Sequence, residues 1–374
     1  MRIGFDAKRL FCNFTGLGNY SRSLLKNLAE FQPGNELFLY TPEIRESAET
    51  SYFRENKAFN TILSKSAFKS YWRSFSIVKQ LQNDTISLYH GLSHELPFGL
   101  KTTKIKSIVT IHDLIFKHYP STYSYFDRKI YDLKFRHSCR IADKIIAISE
   151  STKQDIVNFY SVDPKKIEVI YQSCNPLFYQ LQEKSVNDAI CRQYNIPSEY
   201  LLYVGSVEAR KNLTFLIKAY SEIRESLRVP LLIVGKGGTY STELDRMIIE
   251  LGLQNSVIRI KRLSNNTHLQ SVYQNAIALI YPSLYEGFGL PVAEALLCKT
   301  PVLTSTTSSL PEAGGPNSIY FDPANLEQLK TGIEKVLNDC TLRTTMAEKG
   351  YSYAIENFSP EKLSFKLMGC YRNA

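Results

Sequence analysis

The chain has 374 residues, more than one hydrophobic core usually organises, so two domains are expected. Hydrophobic residues at 44% and charged residues at 22% exclude a disordered or fibrous protein and fit a globular enzyme. A formal charge of +9 points to an anionic partner (a nucleotide, a phospholipid surface or nucleic acid), although solubility alone also accounts for it.

No run of about 18 apolar residues is present, so no transmembrane helix is expected. Met1-Arg-Ile-Gly-Phe-Asp6 reads as a strand rather than a signal peptide. The seven cysteines are scattered without a CxxC or a close Cys/His pairing. That pattern predicts reduced thiols in a cytoplasmic protein and no structural zinc.

Ile3-Gly-Phe5 is read as a short strand and Asp6 to Thr15 as a loop. Gly16-Leu-Gly18 then opens a helix from about Asn19 to Phe31, with Tyr20, Leu24, Leu25 and Leu28 on one face. A strand, a glycine turn and a helix N-terminus let backbone N–H groups approach a phosphate, so Gly16 and Gly18 are candidate contacts. A tight turn explains them equally well, since Ser21 stands where a dinucleotide fingerprint needs its third glycine. Glu36 to Tyr40 is the second strand. Tyr52 to Leu81 is basic and aromatic, carrying Lys65, Lys69, Arg73, Phe68, Tyr71, Trp72 and Phe75. It could lie on an anionic membrane, cover an acceptor cleft, or form a core helix with a solvated basic face.

Ile86 to His90, Ile105 to Ile111, Lys144 to Ile148 and Ile167 to Ile170 read as further strands. Ser149 caps a helix toward Phe159. Strands alternating with helices predict a parallel sheet, whose ligands lie beyond the strand C-terminal ends. His112, followed by Asp113, sits at such an end and is the best polar candidate of this half.

Tyr171 to Pro176 is a connector, and the pattern restarts at Tyr200. Tyr200–Val204, Leu231–Val234, Val257–Ile260, Ile277–Tyr281, Val302-Leu303 and Ile319-Tyr320 make a second doubly wound sheet. Arg210 and Lys211 stand after its first strand, just before a helix, where a diphosphate would meet cations and helix N–H groups. The expected domains are 1–176 and 177–356. A tail helix (357–374, Pro360 at its first position) needs a surface for Leu363, Phe365, Leu367 and Tyr371.

Tyr281-Pro-Ser-Leu-Tyr-Glu-Gly-Phe-Gly-Leu-Pro-Val-Ala-Glu-Ala-Leu-Leu297 is the most informative stretch. A strand ends at Pro282, the chain turns through Gly287 and Gly289, and a helix begins with Pro291 at its first position. That helix is apolar on nearly every side except at Glu294, and an unpaired buried carboxylate costs several kcal/mol. Glu286 puts a second carboxylate at the same mouth. Two carboxylates around a glycine turn at a helix N-terminus suggest a phosphorylated, hydroxyl-rich ligand.

These residues resemble the retaining glycosyltransferases of family 4 (GT4), with the GT-B fold: two facing Rossmann-like doubly wound domains and a C-terminal helix crossing back to the first. Glu286 and Glu294 match that family's Glu-x7-Glu motif. The resemblance implies that Glu294 holds the donor ribose. Glu286, with Gly287, Phe288, Gly289 and Leu290, would face the donor sugar and the distal phosphate. It implies that Arg210 and Lys211 neutralise the diphosphate, that Gly16 and Gly18 approach it, that His112 contacts the sugar, and that Arg262 lies on the base-binding segment. One departure is Ser206, where many members carry arginine; Arg210 is the candidate replacement.

The implied reaction moves a hexose, with retention, from a nucleotide diphosphate sugar (GDP-mannose or a UDP-sugar) to an acceptor hydroxyl. The acceptor would be a saccharide or lipid-linked saccharide in surface polysaccharide synthesis. No metal, further cofactor or nucleic acid is expected, and peripheral contact with the inner face of a membrane is. A sugar-nucleotide epimerase, a phosphorylase, and a catalytically silent sugar-nucleotide-binding homologue are the alternatives.

Overall fold

Thirteen short strands, rich in apolar residues, account for both sheets of the computed structural model, which describes all 374 residues except the side chain of Thr239. β1 (Arg2–Asp6), β2 (Glu36–Thr41), β3 (Phe59–Leu63), β4 (Leu88–Gly91), β5 (Lys106–Ile111), β6 (Lys144–Ala147) and β7 (Ile167–Val169) form the first sheet. The second contains β8 (Leu201–Val204), β9 (Leu231–Val234), β10 (Val257–Ile260), β11 (Ala278–Tyr281), β12 (Val302–Ser305) and β13 (Ile319–Phe321). Segments such as Leu-Leu-Tyr-Val and Ala-Leu-Ile-Tyr are buried at every position, as central parallel strands covered on both faces must be.

The strand orders are β3-β2-β1-β4-β5-β6-β7 and β10-β9-β8-β11-β12-β13, and neighbouring strands run parallel. Each order reverses once, between β1 and β4 and between β8 and β11. Crevices beyond the strand C-terminal ends at such a reversal are where open α/β sheets take their ligands. The chain divides into two units, Met1–Ser173 with Pro360–Ala374, and Cys174–Ser359.

Several local expectations are corrected. Lys8–Cys12 is a short helix rather than a loop, and the next helix starts at Gly16 rather than near Asn19. Asn13 explains the earlier start: its Oδ1 accepts from the backbone N–H of Thr15 and of Gly18, which lets the first turn form ahead of the apolar face. Within Tyr52–Leu81 lies the missed edge strand β3, and past it a helical segment contains a π turn at Trp72–Ser76. Trp72 is buried there, while Phe68 and Tyr71 are exposed, so the stretch is neither one core helix nor one surface helix. The helix Leu290–Leu297 starts one residue early, placing Pro291 second.

The last helix, Pro360–Arg372, packs on Gly16–Phe31 and buries Ser364, Leu367, Met368, Cys370 and Tyr371. Phe365, expected on that face, is 57% exposed, because the buried stripe follows the 364/367/368/371 spacing. The Tyr371 hydroxyl pairs with His90 Nδ1 at 2.7 Å, and His90 Nε2 with Thr110 Oγ1 at 2.8 Å. Burial drives His90 down to about 3, so the imidazole is neutral. Tyr371→Ala should lower unfolding stability in urea by about 3–5 kcal/mol through the cavity it leaves. Tyr371→Phe should cost about 1–3 kcal/mol, for the unmet His90 nitrogen alone.

Candidate functional site

The polar cluster of the second unit stands at the β8/β11 reversal. After β8 the chain makes a single turn, Ala209–Lys211, and Asn212 in the left-handed region (φ +57°) redirects it into the helix Leu213–Ser221. This loop is stitched to the one after β11: the Leu284 N–H donates to Arg210 O at 2.9 Å. The Arg210 guanidinium donates to Tyr285 O at 2.5 Å. Two stretches more than 70 residues apart therefore present one rigid surface.

Glu286 is at its centre, 8% exposed. Its Oε1 takes Lys211 Nζ at 2.5 Å, Ser283 Oγ at 2.6 Å and the Tyr281 hydroxyl at 3.1 Å, with Arg210 Nη1 also at 3.1 Å. Lys211 donates in addition to the Tyr281 hydroxyl at 2.6 Å. Burial pushes the Glu286 carboxyl up, but Lys211 and then Arg210 outweigh it, so the net shift is downward and the group is ionised. Burial likewise lowers Lys211, with Glu286 pulling it back toward the charged form. The pair is an ion pair: with a second cation at 3.1 Å and two hydroxyls donating, the charged carboxylate is the form these partners stabilise.

The turn that follows is fastened from β12's end. Glu286 N–H donates to Ser308 Oγ at 2.9 Å, and Ser309 Oγ lies 2.9 Å from the carbonyl oxygens of both Glu286 and Phe288. Gly289, at φ +108°, caps the helix Leu290–Leu297, and a Cβ there would stand 2.9 Å from Leu310 Cδ2. Only glycine meets both conditions. Phe288 is buried edge-on against Phe358, and Gly287 is buried beside it.

Glu294 lives in a different environment. Its Oε2 accepts from the Tyr273 hydroxyl at 3.1 Å. Burial drives the carboxyl up to about 7, and the Tyr273 bond only partly opposes that.

The structure thus brings Arg210, Lys211 and Glu286 into contact, with Glu294 about one turn into the helix that follows the Glu286 loop. Arg262 is exposed in the loop after β10. The remaining candidates belong to the first unit. Gly16 has open space where a Cβ would be, whereas a Cβ on Gly18 would meet Asn13 O at 1.7 Å. Gly18 is required for packing, and its N–H already serves Asn13. His112 is 3% exposed, with Nε2 2.8 Å from Leu92 O and Nδ1 3.3 Å from Gln172 Nε2. Its Nε2 must carry the proton, since a carbonyl can only accept. Burial moves it down to about 4.

The sequence reading missed Tyr281, Ser283, Ser308, Ser309 and Tyr273 as parts of the site. The first four lie at C-terminal ends of β11 and β12, a positional signal that was available. Tyr273 lies on the helix Asn266–Gln274, and only the tertiary fold brings it to Glu294. Ser206, at the departure from the family pattern, accepts the Tyr203 hydroxyl at its carbonyl, while Arg210 supplies the cation beside Lys211. Among the described residues, no group of three or more His, Cys, Asp or Glu could hold a metal ion. Lys211→Met should leave Glu286 under-compensated and lower stability by about 3–5 kcal/mol, read by urea unfolding.

Residues 14–176 match the model of Glycosyltransferase Family 4, and residues 188–353 that of Glycosyl transferases group 1. The Escherichia coli O-antigen chain mannosyltransferase B is 25% identical over the full length of both chains. The Salmonella typhimurium O-antigen chain mannosyltransferase RfbU is 29% identical over 72% of each. In fold, the chain resembles Anabaena HepE in complex with UDP (TM-score 0.77, 15% identity, all of both chains). It also resembles WaaG, a glycosyltransferase involved in lipopolysaccharide biosynthesis (TM-score 0.71, 19% identity, 98% of both).

Proposed function

This chain belongs to the family 4 glycosyltransferases, with the GT-B fold, and we propose that it moves a hexose, with retention at the anomeric carbon, from a nucleotide diphosphate sugar to a saccharide or lipid-linked saccharide of a surface polysaccharide. The observation that carries this reading is the Arg210–Lys211–Glu286 cluster at the β8/β11 reversal, beside a helix N-terminus. Lys211 and Arg210 face Glu286, with the more exposed Glu208 3.7 Å from Arg210, so a diphosphate would meet two fixed cations there, displacing Glu208 as it binds. The mannosyltransferase relatives favour GDP-mannose as donor, with a UDP-sugar second.

The leaving group is a nucleoside diphosphate, so meeting its growing negative charge is the main catalytic task. Lys211, Arg210 and the Leu290 N–H that opens the helix do this in our reading, with no metal called for; Pro291 has no N–H, and those of Val292 and Ala293 are taken by Gly289 O. The donors on Glu286 converge on Oε1, which directs Oε2 to the sugar hydroxyls. Gly287, Phe288, Gly289 and Leu290 carry the turn along the distal phosphate, Glu294 takes the ribose, and Arg262 lies toward the base.

The acceptor oxygen bonds to the anomeric carbon on the face that the diphosphate leaves. The bond from that carbon to the phosphate oxygen breaks, and the acceptor proton passes to the departing phosphate. In the first unit, Gly16 is the candidate diphosphate contact. His112 would meet the sugar through Nδ1, where its longer contact to Gln172 is the one to exchange. Among the described residues no helix is long and apolar enough to cross a membrane. The cytoplasmic location in our reading rests instead on the seven free, scattered cysteines.

Glu294 gives the reading a pH signature. Ribose hydroxyls donate to the ionised carboxylate, while the empty site holds a proton up to about pH 7. Nucleoside diphosphate affinity should therefore rise as pH increases from 6 to 8, by up to about tenfold per unit below the midpoint, and level off above it. Glu294→Gln should flatten this profile in calorimetric titrations. For the apo-protein the sign is opposite: the raised carboxyl stabilises below its ordinary value of 4.5 relative to higher pH, and that advantage is lost as pH rises through 7.

The reaction itself is tested by incubating the enzyme with GDP-mannose and UDP-hexoses and reading acceptor products and their anomeric configuration by NMR. Transfer with retention is expected, and Lys211→Ala should reduce kcat/KM at least about 100-fold. Nucleotide binding without turnover would instead support the silent homologue, and conversion of the donor sugar would support an epimerase.

A further inference from the structure

The helix Tyr125–Ile141 has two apolar faces, and only one of them is used by the fold. Phe135, Ser138, Cys139 and Ile141 are buried against the first unit. On the opposite side, Phe126, Ile130 and Leu133 recur at i, i+4 and i+7 and are 77%, 50% and 62% exposed. Isolated exposed side chains need no explanation, but an apolar stripe along a helix does.

The stripe continues beyond the helix. His137, one turn past Leu133, stacks on Phe98 at 4.0 Å between ring centroids. Phe98 stacks on Phe75 at 5.0 Å, and Phe75 on Tyr71 at 5.1 Å. Phe68, 78% exposed, stands at the end of this row. Two segments far apart in sequence therefore form one exposed aromatic and aliphatic ridge.

The border of the ridge is cationic. Lys129, Arg136 and Arg140 are exposed on the side of the helix that carries Phe126 and Leu133, Arg136 with its guanidinium 3.6 Å from Asp132, and Lys65 and Lys69 flank Phe68. Asp127 is the exposed acid on that helix; Asp132 is half-buried, 2.5 Å from Lys117. Glu43 accepts from Lys69 at 3.2 Å at the far end. Aromatic rings with a lysine and arginine border fit the interfacial zone of a bilayer with negatively charged headgroups.

We propose that the first unit docks on an anionic lipid surface through this ridge, with Phe126, Ile130, Leu133 and Phe68 entering the headgroup boundary and Lys129, Arg136 and Arg140 meeting lipid phosphates. The basic aromatic stretch 52–81 supplies only one end of the contact, its last exposed turn. The helix Tyr125–Ile141 supplies the larger part. The docking does not depend on which sugar is transferred, or on transfer at all.

The test is cosedimentation of the full-length protein with vesicles of phosphatidylglycerol and phosphatidylcholine, against phosphatidylcholine alone, without sugar nucleotide. Preferential binding to the anionic vesicles, weakened by salt, is expected. Phe126→Ser with Leu133→Ser should weaken it at least about tenfold, and Lys129→Glu with Arg140→Glu should abolish the preference for anionic lipid. All four positions are exposed, so melting temperature and nucleoside diphosphate affinity should not change. Equal binding to both vesicles, or undiminished binding by the Phe126→Ser/Leu133→Ser variant, would overturn the proposal. So would a concentration-dependent dimer in sedimentation that the same variant dissolves, since a second copy would then cover the ridge.

Discussion

The buried ion pair of Glu286 with Lys211 is the constraint around which the second unit's site is built. A carboxylate this enclosed costs several kcal/mol to desolvate, and the structure offsets that with two cations and two hydroxyls directed at one oxygen. The offset requires the loop after β8 and the loop after β11 to stay in register. The register is held by Leu284 on Arg210 O and by Arg210 on Tyr285 O. The cations are thereby fixed before any ligand arrives, which is the preorganisation that charge development on a leaving group demands.

The two glutamates of the motif differ in chemistry because they differ in company. Glu286 is held ionised by Lys211 and Arg210. Glu294, eight positions on, has a tyrosine hydroxyl and apolar surroundings, and titrates near neutrality. One carboxylate is a fixed part of the electrostatic frame, and in the proposed reading the other becomes charged when ribose hydroxyls are offered to it. Gly289 lets a single loop–helix segment carry both, since its left-handed backbone turns the chain from the Glu286 loop into the helix that holds Glu294.

Much of this was legible in the sequence. Apolar strands of four or five residues announced two parallel sheets, and the loop Glu286–Leu290 with Glu294 announced the site, because buried charge beside glycine and a helix start has few structural explanations. What was not legible depends on tertiary contact. β3 was hidden because Phe59–Leu63 is an edge strand with only Phe59 buried, so Asn60 and Thr61 interrupt its apolar residues. Lys8–Cys12 was hidden because five residues carry too little periodicity. The buried face of the last helix was misassigned at Phe365, which is apolar but off the stripe that Leu367 and Tyr371 define. Tyr273 and Ser309 reach the site from separate elements, and nothing local to either marks it as a partner of Glu294 or of the Glu286 turn.

A crystal structure of the protein with GDP bound bears most directly on the central claim. The account places the diphosphate within hydrogen-bond distance of Lys211 Nζ and the Leu290 N–H, with both ribose hydroxyls on the Glu294 carboxylate. Nucleotide bound away from the β8/β11 reversal, or bound there with its ribose turned from Glu294, would contradict it.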